Sequence, residues 1–179
     1  ALPYQLQVQA QAAATGVTLR FENTGSAGVV FHVYDRLALA QMPRRYTVEA
    51  GKQLDGLWRG SAGAAYDLWV LGPNGFHRHF VGTLPVPGAA GAQPEIRVQV
   101  DLANLELALE LRNQGNQACT FVLQTRRYAN VADRRWIVPA GTVQQARVGV
   151  DASHRWYDHS VKVVEAPAFG RRLAGHVEN

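Results

Sequence analysis

The side chains whose types could do chemistry are a few histidines, one cysteine and several paired arginines, and their spacing limits what that chemistry could be. His77 and His79 stand two apart. On a strand, residues i and i+2 leave the same face, so the pair could share a metal ion. A third ligand has to come from elsewhere, and the sequence places no cysteine or carboxylate to supply it. Two exposed strand histidines flanking Arg78 is the simpler reading. Asp151, Ser153 and His154 have the residue types of a hydrolase triad. They lie too close along the chain for that geometry, and no Gly-x-Ser-x-Gly turn presents a nucleophile. With His159, His176 and Asp158 they read as polar residues of turns and strand edges. Cys119 is the sole cysteine, so no internal disulfide can form. Its apolar surroundings, Ala118 to Leu123, mark it as a small buried residue and leave the redox compartment open.

Arg44-Arg45 and Arg134-Arg135 recur at equivalent places. Neighbours on a strand face opposite ways, so neither pair makes a clamp by itself. One arginine of each is expected to lay its stem on an aromatic while the other is solvated. A phosphate or lipid-headgroup contact by Arg44 or Arg134 is the alternative, with Trp69 and Arg78 as further candidate surface contacts. Trp58, Trp69, Trp136 and Trp156, with Tyr66 and Tyr157, are expected to fill the core, while Trp69 and Trp156 are also the candidates for an exposed carbohydrate shelf. No phosphate loop, dinucleotide fingerprint, zinc spacing or calcium loop occurs. The residues alone therefore point to no active site, no metal and no cofactor.

The elements that position these residues come from a duplication. The chain has 179 residues, 47% hydrophobic and 18% charged, which excludes a disordered tail. Apolar runs are short, so no transmembrane helix is expected. The excess of 18 basic over 14 acidic side chains is too mild for a nucleic-acid binder. Beginning at Ala1 with no leader, the chain is expected to be an excised piece or a mature product. Shifted by 90 positions, it matches itself from Val17 to Gly51: Leu19 on Leu109, Asn23 on Asn113, Gly25 on Gly115, Phe31 on Phe121 and Arg36 on Arg126. Small insertions later change the offset. Tyr66-Asp67 matches Tyr157-Asp158, Phe76-His77-Arg78 matches Phe169-Gly170-Arg171, and Gly82 meets Gly175.

Pro85 to Pro94, with three prolines, two glycines and no charge, reads as a linker between repeats 1–88 and 95–179. Within each repeat the hydrophobic period is two: Leu6, Val8 and Ala10 alternate with glutamines, and Leu105, Leu107, Leu109 and Leu111 alternate with polar or small residues. Asn23-Thr24-Gly25 and Asn113-Gln114-Gly115 are expected to close hairpins. Roughly seven short strands per repeat predict an all-β protein, two tandem immunoglobulin- or fibronectin-like sandwiches.

The segment from Tyr66-Asp67-Leu68-Trp69 through Gly75-Phe76-His77-Arg78 to Gly82, and its partner from Trp156-Tyr157-Asp158 to Gly175-His176-Val177-Glu178, carry a resemblance. They resemble the C-terminal repeat domain of bacterial phosphocholine-type phospholipases C, in which two such modules stand in tandem. The family pattern has an aromatic where His159 stands, and a Gly- and Ser-rich tail beyond Asn179, which suggests a trimmed chain. The resemblance implies a parent enzyme that hydrolyses phosphatidylcholine or sphingomyelin with a separate metal-dependent N-terminal domain, and a secreted or periplasmic address. No catalytic or metal residue carries over to this chain. It implies a non-catalytic accessory region that packs on the catalytic domain of the same parent and helps it meet a phospholipid membrane, with loops such as 72–75 and 166–167 as natural contacts. A purely structural or export module, or a carbohydrate- or protein-binding tandem sandwich, are the alternatives.

Overall fold

An alternating segment folds as a strand because it can bury one face and pair its backbone sideways. The computed structural model describes residues 2–177, so Ala1, Glu178 and Asn179, the outermost residues of the two repeats, lie outside the described residues. The first repeat contains β1 (Leu6–Ala13), β2 (Gly16–Asn23), β3 (Val29–Asp35), β4 (Arg44–Val48), β5 (Lys52–Arg59), β6 (Ala65–Leu71) and β7 (His77–Thr83). The second contains β8 (Pro94–Asp101), β9 (Glu106–Asn113), β10 (Cys119–Arg127), β11 (Arg134–Val138), β12 (Val143–Gly149), β13 (Trp156–Val163) and β14 (Gly170–His176). The one helical element among the described residues is a single 3-10 turn, Asp151–Ser153. Among the described residues no helix is long and apolar enough to cross a membrane.

Each repeat sets three strands against four: β1-β2-β5 faces β4-β3-β6-β7, and β8-β9-β12 faces β11-β10-β13-β14. Two separate apolar cores result, one around Leu19, Phe21 and Phe31, the other around Leu109, Leu111 and Phe121. The expected all-β pair of sandwiches is present. They are joined by more than a linker, however. β7 pairs antiparallel with β14, fusing the two four-stranded sheets into one eight-stranded layer in the order β11-β10-β13-β14-β7-β6-β3-β4. In the opposite layer β1 lies alongside β8 without a shared ladder.

The pairing of β7 with β14 removes two edges that separate sandwiches would expose. The edges that remain on this layer, β4 and β11, are only five residues long and each begins with two exposed arginines. Short, charged edge strands resist pairing with other chains. That accounts for the recurrence of Arg44-Arg45 and Arg134-Arg135.

Asn23-Thr24-Gly25 and Asn113-Gln114-Gly115 do not close hairpins. β2 pairs with β1 and β5, whereas β3 pairs with β4 and β6, so each tripeptide carries the chain from one layer to the other. The asparagine makes the crossing possible. Asn23, fully buried, donates from Nδ2 to the carbonyls of Ala27, Val48 and Glu49 at 2.8, 3.3 and 3.3 Å, and accepts from the Gly25 N–H at 3.1 Å. Asn113 repeats this with Gln117, Val138 and Pro139 at 2.7, 3.2 and 3.3 Å, and with the Gly115 N–H at 3.0 Å. Glycine follows because a Cβ at Gly25 would sit 2.1 Å from the Pro3 carbonyl oxygen. Truncating such a hub strands several buried carbonyls. Asn113→Ala is expected to cost about 2–3 kcal/mol, read from the urea midpoint, and Asn23→Ala a similar amount.

Candidate functional site

The joint between the repeats concentrates the buried polar chemistry. Arg78 on β7 and Arg171 on β14 both face inward and are 2% exposed. Arg78, expected as a surface contact, is therefore a structural residue with no access to a lipid headgroup. The reason is its partners. Nη2 donates to the Tyr157 hydroxyl at 3.0 Å, and Nη1 to the carbonyls of His77 at 2.9 Å and Ala174 at 3.0 Å. Arg171 makes the mirror set: Nη2 to the Tyr66 hydroxyl at 2.8 Å, and Nη1 to the carbonyls of Val81 and Gly170, both at 2.8 Å. Each guanidinium also lies 4.2 Å from a phenyl ring of its own repeat, Phe76 or Phe169.

Each arginine thus reaches a tyrosine of the other repeat. The tyrosine has to cross one strand to get there, and glycine clears the way. Tyr66 lies directly opposite Gly82, and Tyr157 opposite Gly175. A Cβ would sit 2.6 Å from the Tyr66 hydroxyl at Gly82, and 2.8 Å from that of Tyr157 at Gly175. Burial pushes the Tyr66 phenol up, so it stays protonated and neutral.

The two halves differ in one respect. Glu95 closes on Arg171 with contacts of 2.9 Å to Nε and 2.7 Å to Nη2. Burial alone would lower the Arg171 pKa; the Glu95 carboxylate and the Tyr66 hydroxyl outweigh it and raise it. In the first repeat the strand register puts Gln7 in the place of Glu95. Its Oε1 is buried without a partner, and no described carboxylate reaches Arg78.

The outer face of the eight-stranded layer holds the other candidates. Strand register lines up Tyr34, Trp69, His79, Arg172, Ser160 and Gln124 in one row across both repeats. Trp69 and Trp156 face outward, so the expectation that all four tryptophans fill the core holds only for Trp58 and Trp136, which pack against it. The reason is strand parity: Tyr66, Leu68 and Val70 take the inward positions of β6, leaving Trp69 on the opposite face. Arg36 covers its ring at 4.4 Å and reaches Asp67 at 3.3 Å.

His77 and His79 do share a face, as the spacing requires. His79 Nε2 lies 2.6 Å from the Asp67 carboxylate. Burial lowers the His79 pKa, with Asp67 opposing that effect. Burial, with help from the Arg172 charge, lowers His77 to about 4. No group of three or more metal-ligating side chains occurs among the described residues. Nor does His79–Asp67 find a nucleophile, because Arg172 stands between His79 and Ser160 in the row. Arg172 instead makes a two-pronged pair with buried Asp158, both contacts at 2.8 Å. Ser153 donates to the carbonyls of Val150 and Trp156 and so serves its turn, not His154. Cys119 is fully buried, and burial pushes its thiol up to about 11, too high for a nucleophile.

Arg44 and Arg134 are exposed, stacked on Trp58 at 3.9 Å and Trp136 at 4.9 Å, with Nη1 donating to the carbonyls of Leu57 and Arg147. Loop residues Pro73 and Asn74 line a small cleft of about 80 Å³ at one end of the joint. Ala166 and Pro167 line a cleft of about 420 Å³ at the other, beside the linker. The buried cross-ties of Arg78 and Arg171 are the functional residues that reading the sequence missed. Their signal was present in the doubled Tyr…Phe-x-Arg-x-x-x-Gly pattern, but a charged residue on an alternating strand reads as solvated.

The family model described as bacterial phospholipase C, C-terminal domain, matches residues 1–83 and again 94–176. Over its whole length the chain is 37% identical to a non-hemolytic phospholipase C of Pseudomonas aeruginosa. Over 99% of its length it is 39% identical to one of Burkholderia pseudomallei. A hemolytic phospholipase C of Pseudomonas aeruginosa is 33% identical over 91% of the chain. The chain spans about a quarter of these relatives' length, 26%, 26% and 24%.

Arg171→Ala removes one half of a buried ion pair and strands Glu95 and the Tyr66 hydroxyl, at an expected cost of about 3–5 kcal/mol by chemical denaturation. Acid acts through histidines on both faces of the layer, His77 and His79 on the outer and His159 on the inner. His77, His79 and His159 have folded pKa values below the ordinary one, so the unfolded chain binds more protons between about pH 6.5 and 4. Stability is therefore complete near neutrality and falls across that window as pH drops. His77→Gln is expected to shrink the difference in Tm between about pH 7 and pH 5, measured by differential scanning calorimetry.

Proposed function

From the premise that the chain belongs to the bacterial phospholipase C C-terminal domain family, we propose that it is the non-catalytic accessory region of a secreted or periplasmic phospholipase C acting on phosphatidylcholine or sphingomyelin. In this reading it packs on the catalytic domain of the same parent chain and helps that domain meet a lipid surface. The carrying observation is the continuous eight-stranded layer locked by Arg78–Tyr157 and Arg171–Tyr66. Two sandwiches tied in this way move as one body, which suits a platform that holds an enzyme at a fixed attitude. The reading also agrees with the polar side chains. The histidines, Ser160 and Cys119 are engaged in packing or kept apart, and none forms a reacting constellation among the described residues.

Exposed Arg44 and Arg134 suit attraction to phosphate groups, at roughly 1 kcal/mol for each arginine near an anionic surface. Removing this chain from the whole protein is expected to reduce turnover of vesicle-borne phosphatidylcholine about tenfold, with dispersed short-chain substrate changing less than about twofold. Equal loss on both substrates would indicate a structural or export module. No loss on either would exclude an accessory role in the reaction.

A further inference from the structure

The large apolar side chains that the fold leaves in water are not scattered evenly. Leu37, Leu39 and Met42 are 61%, 62% and 84% exposed, and all three stand on the loop between β3 and β4. The loop is not loose. Asp35 anchors it, its carboxylate accepting from the Leu37 N–H at 2.9 Å and its carbonyl from the Ala38 N–H at 3.1 Å. A second turn follows, with the Gln41 N–H donating to the Ala38 carbonyl at 2.9 Å. Arg36 fixes the entry through its N–H to the Asp67 carbonyl at 2.8 Å. The backbone that carries the three apolar side chains is thus shaped by hydrogen-bonded turns, which lowers the ordering left to be done when a partner arrives.

At the loop's base Asp35 caps the first turn and Asp67 pairs with Arg36 at 3.3 Å, so the unpaired positive charge lies toward Arg44 and Arg45. From Arg36 to Arg45 the loop carries three arginines and no carboxylate. Arg44 is steered by its Trp58 stack and its bond to the Leu57 carbonyl, which brings the exposed end of β5, with Arg59, to the same edge. An apolar tip with a cationic collar matches the layering of a phospholipid interface, acyl chain inside and phosphate outside. A protein partner would need a hollow shaped to three separate side chains and acidic groups around it.

Resting on the membrane-engaging reading above, we infer that the loop from Arg36 to Arg45 is a lipid-inserting tip, with Leu37, Leu39 and Met42 entering the acyl region and exposed Arg44 and Arg45 holding phosphates. The second repeat has a related loop, with Tyr128 and Val131 54% and 55% exposed among four arginines. It leaves the opposite end of the layer, because five antiparallel pairings separate β3 from β10. One flat surface approached end-on meets a single tip, and the first repeat's is the more apolar.

A label at Leu39→Cys tests this. The other thiol, Cys119, is fully buried and does not compete for labelling. With the full chain and phosphatidylcholine vesicles, with and without phosphatidylglycerol, an environment-sensitive fluorophore at this position is expected to brighten and shift to the blue. Combined Leu37→Ser, Leu39→Ser and Met42→Ser substitutions are expected to weaken vesicle partitioning at least about tenfold with unchanged thermal unfolding. Co-sedimentation with an unchanged label would overturn the tip while leaving membrane engagement through another surface. Neither co-sedimentation nor a shift would overturn both. A shift on adding the rest of the protein without vesicles would make the loop a protein contact and likewise overturn the proposal.

Discussion

Arg78 and Arg171 carry full positive charges to the inner face of a β-layer, where water does not solvate them, and a guanidinium so placed must find acceptors in the protein. Each finds two of them in the other repeat: a carbonyl of the facing strand and the hydroxyl of a tyrosine one strand further on. Separating the repeats would leave both charges short of partners and would expose the edges of β7 and β14. The fused layer is therefore a requirement of the residues at its centre. The linker only permits it. Gly82 and Gly175 belong to the same constraint, since any side chain there would occupy the space of the tyrosine hydroxyl.

The two-fold relation is imperfect in a way that separates structural from dispensable features. Arginine, tyrosine, glycine and phenylalanine of the joint recur in both halves, as do the asparagine hubs at the layer crossings. The carboxylate does not: Glu95 in one half corresponds to Gln7 in the other. Carbonyls, a hydroxyl and a ring face suffice for Arg78, so Glu95 adds to a guanidinium already largely satisfied. The outer face has diverged further, with His77 and His79 opposite Gly170 and Arg172 in the duplicated pattern.

Much of the architecture was legible along the chain because strands advertise themselves locally. A period of two, short turn-rich intervals and a shift of 90 positions identify seven strands per repeat and two repeats, and every one of those strands is present. The duplication also located the arginine pairs, now recognisable as charged, five-residue edge strands. Less local properties were misread. Asn23-Thr24-Gly25 has the composition of a hairpin turn, and only the pairing of β2 with β5 and β3 with β6 shows that it changes layers.

The sequence by itself determined the all-β class, the duplication, the family and the absence of any familiar catalytic signature, since each depends on residue type and spacing within a few dozen positions. Tertiary structure alone decided which strands meet between repeats, and hence that Arg78 is buried while Arg44 and Arg134 remain in water. It also decided that Trp69 faces outward and that Leu37, Leu39 and Met42 stand clear of either core. The physical reason is the same in each case. A side chain's environment is set by partners up to about a hundred residues away, as with Arg171 and Tyr66, and strand alternation says that two faces exist without saying which one another sheet will cover.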